Sequence, residues 1–179
     1  MNEMELDVLK YPVGKWHSKA QPSADDIKGW IDDIRQLPGQ LRELLTGLPD
    51  TSLVYRYRPG GWNLRQLIHH IADSHVNAYI RHKLAVTENE PRISPYQEAS
   101  WAELEDVLTL PIGVSLQLLE SLHLRWTVFL ESLDATQLQS TFYHPQSQKV
   151  FRLHESISMY SWHGRHHLEH VRNALKQPY

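Results

Sequence analysis

Cysteine is absent from this chain of 179 residues, and that absence removes disulfides, thiolate zinc sites, iron–sulfur clusters and cysteine nucleophiles together. Any bound metal has only His, Asp and Glu to draw on. An excess of positive charge is missing too: 18 Lys and Arg against 21 Asp and Glu give a formal charge of -3 and a pI near 6.4. The electrostatic footprint of a nucleic-acid binder is therefore lacking. No apolar run approaches the roughly 20 residues that cross a bilayer. The opening Met1-Asn2-Glu3-Met4-Glu5 is acidic where a signal peptide is basic. A cytoplasmic protein with neither nucleic acid nor membrane as partner is expected. Internal repeats and low-complexity tracts are also lacking. An apolar share of 41% and a charged share of 22% are those of a folded globular chain. The length suits a single domain, residues 1–179, with one core.

What the chain has in surplus is histidine: twelve in all, five of them between His154 and His170. Clustered histidine at helical spacing is a frequent sign of metal binding.

Residues 1–22 carry Pro12, Gly14 and Pro22 without periodicity and read as an irregular arm. Ser23 and Asp26 then have capping-box spacing, and one apolar stripe from Ile27 to Leu48 continues through Pro38-Gly39, predicting a first long helix that kinks at the proline. Pro59-Gly60-Gly61 marks a turn, and Asn63 with Gln66 forms a second capping box, so a second helix is expected over about 64–87. Prolines 91, 95 and 111 bracket a long crossover with a short helical piece over 99–108. A third helix is expected over 114–133, a turn or short hairpin over 141–152, and a fourth helix over 153–176. These four amphipathic helices, with no convincing strand pattern, predict an all-α four-helix bundle of up-down-down-up or related topology.

On the fourth helix His163, His167 and His170 fall at i, i+4 and i+7 along the edge of the apolar face. An i, i+4 pair is the spacing that brings two imidazoles to one ion in helical zinc motifs, although Gly164-Arg165-His166 between them offers no carboxylate base. On the second helix His75 and His82 lie within the apolar stripe and read as core histidines. His70 aligns with Ser74, Asn77 and Arg81 in a polar row. That row is either a solvent face or the wall of a pocket with His70 at its mouth, Asn77 placed to hydrogen-bond a substrate and Arg81 placed to meet an anion. Periodicity selects no single histidine on the second helix, His69 included. It does not choose between His163/His167 and His167/His170 on the fourth.

The segment Tyr57-Arg58-Pro59-Gly60-Gly61-Trp62-Asn63-Leu64-Arg65-Gln66-Leu67-Ile68-His69-His70-Ile71-Ala72-Asp73-Ser74-His75, together with Trp162-His163-Gly164-Arg165-His166-His167-Leu168, resembles the YfiT branch of the DinB-like superfamily of metal-dependent hydrolases. The similarity extends over nearly the whole chain, including Pro95-Tyr96, Leu122-His123-Leu124-Arg125-Trp126-Thr127 and Phe142-Tyr143-His144-Pro145. The resemblance implies a DinB/YfiT-like four-helix bundle and a homodimer. It also implies one divalent metal ion per chain, zinc first and nickel second, with transfer of a low-molecular-weight thiol in relatives. It places the metal ligands on His70, His163 and His167, and leaves His170 as a pocket or surface histidine.

Three neutral imidazoles leave an open position on zinc, the arrangement of a catalytic site. The expected activity is a metal-dependent hydrolase or thiol transferase acting on a small molecule, with Asp73, Asn77, Arg81, His123 and Tyr143 as candidates for pocket or supporting roles. The alternatives are a metal-binding helical module without turnover and a helical protein-interaction domain with incidental histidines. Imidazole alone suits zinc, nickel, copper and iron alike.

Overall fold

The computed structural model describes residues 3–176 and 178–179. Four long helices form the body: α2 (Ala24–Leu45), α3 (Leu64–Thr87), α6 (Ile112–Glu131) and α7 (Leu153–Lys176). They are joined by shorter pieces: α1 (Glu3–Lys10), α4 (Glu98–Trp101), α5 (Glu105–Thr109), and the strands β1 (Thr141–His144) and β2 (Lys149–Arg152).

The core divides along the bundle axis into two clusters. At one end Leu37, Leu41 and Leu45 of α2 meet Leu64 to Ala72 of α3, Leu116 and Leu119 of α6, and Leu168 to Ala174 of α7. At the other end Ile31 and Ile34 meet Ala78, Trp126, Leu130, Leu153, Ile157 and Tyr160. Residue numbers rise toward the first cluster in α2 and α7 and toward the second in α3 and α6. The topology is therefore up-down-down-up. α2 packs on α7 and α6, and α3 packs on those same two helices. α3 and α6 are thus parallel neighbours, and parallel neighbours need a connection as long as the bundle. Residues 88–111 supply it.

Capping fixes where the helices begin. Ser23 accepts from the Asp26 amide while Asp26 accepts from the Ser23 amide, and Asn63 and Gln66 do the same for α3. α2 runs unbroken through Pro38.

Two expectations need correction. The N-terminal arm is not wholly irregular. Its helix α1 spans eight residues, too short to show a period, and its Leu9 carbonyl meets His170 Nε2 of α7 at 3.1 Å. Trp16 Nε1 donates to Ser158 Oγ at 3.2 Å, and Trp162 Nε1 donates to the Gly14 carbonyl at 2.9 Å. The helical piece in the crossover is two short helices, α4 and α5, rather than one. Of the two alternatives for 141–152, the structure takes the hairpin, which is antiparallel and pairs Phe142 with Phe151 and Tyr143 with Val150. Strands of four residues carry too little alternation to stand out in sequence. Among the described residues, no helix is long and apolar enough to cross a membrane.

Candidate metal centre

α3 and α7 run antiparallel, so the first third of α3 faces the middle of α7. The capping box at Asn63 sets the phase of α3, and Gln66 Nε2 ties its first turn to the crossover through Glu103 Oε1 at 2.8 Å and the Ala102 carbonyl at 3.2 Å. The Trp62 ring packs 4.5 Å from His70. α7 is brought close to α2 by Gly164, where a side chain would meet Leu37 Cδ2 at 3.0 Å. His163, its neighbour in sequence, is thereby directed toward α3.

The result is three imidazoles around one point. His70, His163 and His167 each present a ring nitrogen, and these nitrogens lie within 4.8 Å of one another. Ring centroids are 5.5 Å apart for His70–His163, 5.1 Å for His70–His167 and 4.4 Å for His163–His167. Burial is the first cause that lowers their basicity. His70 is pushed down to about 4, with His166 adding to the effect. His163 and His167 lie well below the ordinary value, through burial and then through the neighbouring imidazoles. All three are neutral near pH 7 and keep a lone pair for a cation.

His166, His167 and His170 form a second group with nitrogens equally close. There, however, His170 Nε2 lies 3.1 Å from the Leu9 carbonyl and its Nδ1 lies 3.2 Å from His167 Nδ1. Both His170 nitrogens are thus committed to hydrogen bonds.

A cavity of about 290 Å³ opens beside His163, lined by residues of α3, α7 and the hairpin, with Glu98 at its edge. Phe142, Phe151, Met159 and Trp162 supply apolar wall, while Ser74, Arg81, Ser147 and His144 supply polar groups. Ser74 Oγ stands 3.5 Å from His163 Nε2. Arg81 is 8% exposed. Its Nη2 donates to the Ser94 carbonyl at 3.1 Å, its Nε has no partner, and no carboxylate lies within 4.0 Å of it among the described residues.

The remaining candidates are placed differently. Asn77 donates to the Asp73 carbonyl and, like Asp73, His123 and Tyr143, does not line this cavity. Asp73 is half-buried, and burial followed by the charge of Asp106 raises it to about 6. Tyr143 pairs in the hairpin and lies under Arg92. His69 contacts Ser115 Oγ at 2.8 Å and the Leu110 carbonyl at 3.3 Å, facing away from the histidine cluster toward α6. His82 is buried between Ser156 Oγ and Trp126 Nε1. His75 is also fully buried, but it is more than a core residue, because its two ring nitrogens bridge His123 at 2.9 Å and His163 at 3.0 Å. Sequence periodicity missed that link and the hairpin's share of the cavity. The only forewarning was histidine placed where an apolar residue would serve.

This bundle, with its histidine cluster between α3 and α7, belongs to the DinB superfamily, whose profile matches residues 33–171. A relative from Halalkalibacterium halodurans, named "putative metal-dependent hydrolase", is 49% identical over 166 residues, covering 93% of this chain and 96% of its own. A Bacillus cereus relative of the same name is 45% identical over 172 residues, covering 96% and 98%. Among solved structures, YfiT from Bacillus subtilis, described as "a probable metal-dependent hydrolase with an unusual four-helix bundle topology", superposes with a TM-score of 0.92 at 38% identity over 95% of this chain and 97% of that one. The mycothiol-dependent maleylpyruvate isomerase superposes with a TM-score of 0.65 at 16% identity over 81% of this chain and 60% of that one, a likeness of fold alone.

Proposed function

We propose that this chain is a metal-dependent enzyme, a hydrolase or low-molecular-weight thiol transferase, in which His70, His163 and His167 hold one divalent ion beside the cavity that receives a small-molecule substrate. The observation that carries this reading is the meeting of three buried, neutral imidazole nitrogens within 4.8 Å of one another. Zinc binds imidazole nitrogen at about 2.0–2.1 Å, and small ring rotations bring donors at this spread onto one such centre. Zinc is the first choice and nickel the second. The three-histidine set also distinguishes this cluster from its neighbour, where His170 has no free nitrogen to give.

When bound, such an ion supplies Lewis acidity and a nucleophile, water or thiol, that is active near neutral pH. The chain's own residues do the rest. Phe142, Phe151, Met159 and Trp162 exclude water and bind the apolar part of the substrate. Arg81, buried without a carboxylate partner, orients an anionic group, as a guanidinium in a dry wall does most strongly. Ser74 Oγ, close to His163 Nε2, is placed to hydrogen-bond the reacting group. Relatives named as putative or probable metal-dependent hydrolases, similar over nearly their full length, support the assignment.

The outer face of α6 exposes Val114, Leu118, Leu124 and Val128, which share one side at 100° per residue. We assign the homodimer contact to it.

Untagged protein, stripped and then reloaded with zinc or nickel, should turn over members of an ester and amide panel or of a thiol-plus-electrophile panel. Activity should vanish in His163→Ala. No metal-dependent turnover on either panel, with the metal only raising the melting temperature, would instead make this a non-catalytic metal-binding module.

A further inference from the structure

Two chains of hydrogen bonds lead away from the histidine cluster, and each ends on a backbone carbonyl. In the first, His163 Nδ1 is 3.0 Å from His75 Nε2, His75 Nδ1 is 2.9 Å from His123 Nε2, and His123 Nδ1 is 2.5 Å from the carbonyl oxygen of Ile34 in α2. In the second, His167 Nδ1 is 3.2 Å from His170 Nδ1, and His170 Nε2 is 3.1 Å from the carbonyl oxygen of Leu9 in α1.

A carbonyl only accepts, and a neutral imidazole has one donor and one acceptor. The direction of every bond follows. His123 donates from Nδ1 to Ile34, so its Nε2 accepts. His75 therefore donates from Nδ1, leaving its Nε2 to accept from His163 Nδ1. His163 must carry its proton on Nδ1, and its lone pair is left on Nε2. The same logic starting at Leu9 puts the His170 proton on Nε2 and the His167 proton on Nδ1, with the His167 lone pair again on Nε2. His75, His123 and His170 are each at most 2% exposed, and each meets only other imidazoles or a backbone carbonyl with no carboxylate in hydrogen-bond contact, so each ring carries a single proton. An apolar bundle core would be served as well by leucine at positions 75 and 123, both of which are at most 2% exposed. Two histidines in series there have a purpose only if their polarity is used.

We propose that His75 with His123, and separately His170, are positioning residues: two relays anchored on the backbone lock His163 and His167 with the proton on Nδ1 and the lone pair on Nε2, the form in which both rings accept a cation. Groups that orient a metal-binding imidazole through its second nitrogen change metal affinity by roughly 10–100-fold when lost. The inference rests on the metal site proposed above, but the tautomers are a property of the metal-free protein and are measured without it.

The test is a long-range proton–nitrogen correlation spectrum of the imidazole rings in the metal-free, nitrogen-15-labelled protein, paired with zinc affinity by competition against a chromophoric chelator. In the wild type, His163 and His167 should both show a protonated Nδ1 and an unprotonated Nε2. His123→Leu removes the anchor, so the His163 signature should mix or invert and zinc affinity should fall about 10–100-fold, with His167 unchanged. His123→Gln, whose amide can still donate to Ile34 and accept from His75, should restore both to within a few-fold. His170→Leu and His170→Gln make the same comparison on the other relay if His123→Leu does not fold. A wild type with His163 or His167 protonated on Nε2 overturns the proposal, as does a His123→Leu variant whose His163 signature and zinc affinity match the wild type. A wild type with the expected tautomers that binds no zinc sinks the metal reading and leaves the relays standing.

Discussion

Arg81 and His70 are separated by three turns of α3, and their substitutions should separate as cleanly. His70→Ala removes one of three ligands, and zinc affinity should fall roughly 100-fold or more, measured by chelator competition. The fold should be kept, since Leu67, Ile68 and Ile71 carry the packing of that turn. Arg81→Met leaves the cluster intact and should leave zinc affinity unchanged. The Arg81 guanidinium has no carboxylate within 4.0 Å among the described residues and is offset only by the more distant charge of Glu98 in the same cavity, so burying it is costly and the variant should lose little or no stability in urea. What it should lose is binding of anionic substrates, seen as a rise in KM well ahead of any fall in kcat. A loss of zinc in Arg81→Met would show that Arg81 supports the metal site and not the substrate.

The spacing of α2 and α7 depends on one glycine. Gly164→Val would press a branched side chain on Leu37, already 3.0 Å from the position of a Cβ, and should cost about 1–3 kcal/mol in urea unfolding while shifting His163. At the start of α3, Asn63→Ala breaks the capping box and should cost about 1 kcal/mol. Deleting residues 1–10 removes the Leu9 carbonyl from His170 and should weaken zinc binding while the circular dichroism of the four long helices persists. The long helices were legible in sequence because their signals are local: two capping boxes, a proline-glycine turn and stripes of twenty or so residues. The bounds of α3 and α7 come out as 64–87 and 153–176, as the pattern predicts. α1 was not legible, since eight residues carry too few periods, and 141–152 was legible only as a turn or a short hairpin, since strands of four residues show too little alternation to choose between them. The same limit applies at the site. Helical spacing narrows α7 to His163, His167 and His170, but it says nothing of which α3 histidine faces them. Nor does it reveal that His75, placed correctly in the core, bridges two other rings.

For the molecule as a whole, the buried histidines govern its response to acid. His70, His82, His123, His166 and His170 are each pushed down to about 3 or 4, chiefly by burial. In the unfolded chain they titrate near 6.5, so between that value and about 4 the unfolded state binds more protons and stability falls as pH falls. One unit below 6.5 costs about 1.4 kcal/mol per fully neutral group. Their sum by about pH 5.5 is several kcal/mol out of the roughly 5–15 a domain has. Asp73, raised to about 6, acts in the opposite direction: its destabilising charge is relieved as pH drops. A single half-buried carboxylate returns only about 1 kcal/mol after solvent screening, so the histidines win. Urea midpoints of metal-free protein should fall steadily from pH 7 to pH 5. A Leu124→Glu substitution on the exposed face of α6 should shift a dimer to monomer in sedimentation equilibrium. The most direct test of the central claim is elemental analysis of untagged protein after zinc loading and desalting, beside the same measurement on the His70→Ala, His163→Ala, His167→Ala triple variant. About one zinc per chain in the first and none in the second is predicted. Equal zinc in both, or none in either, would contradict it.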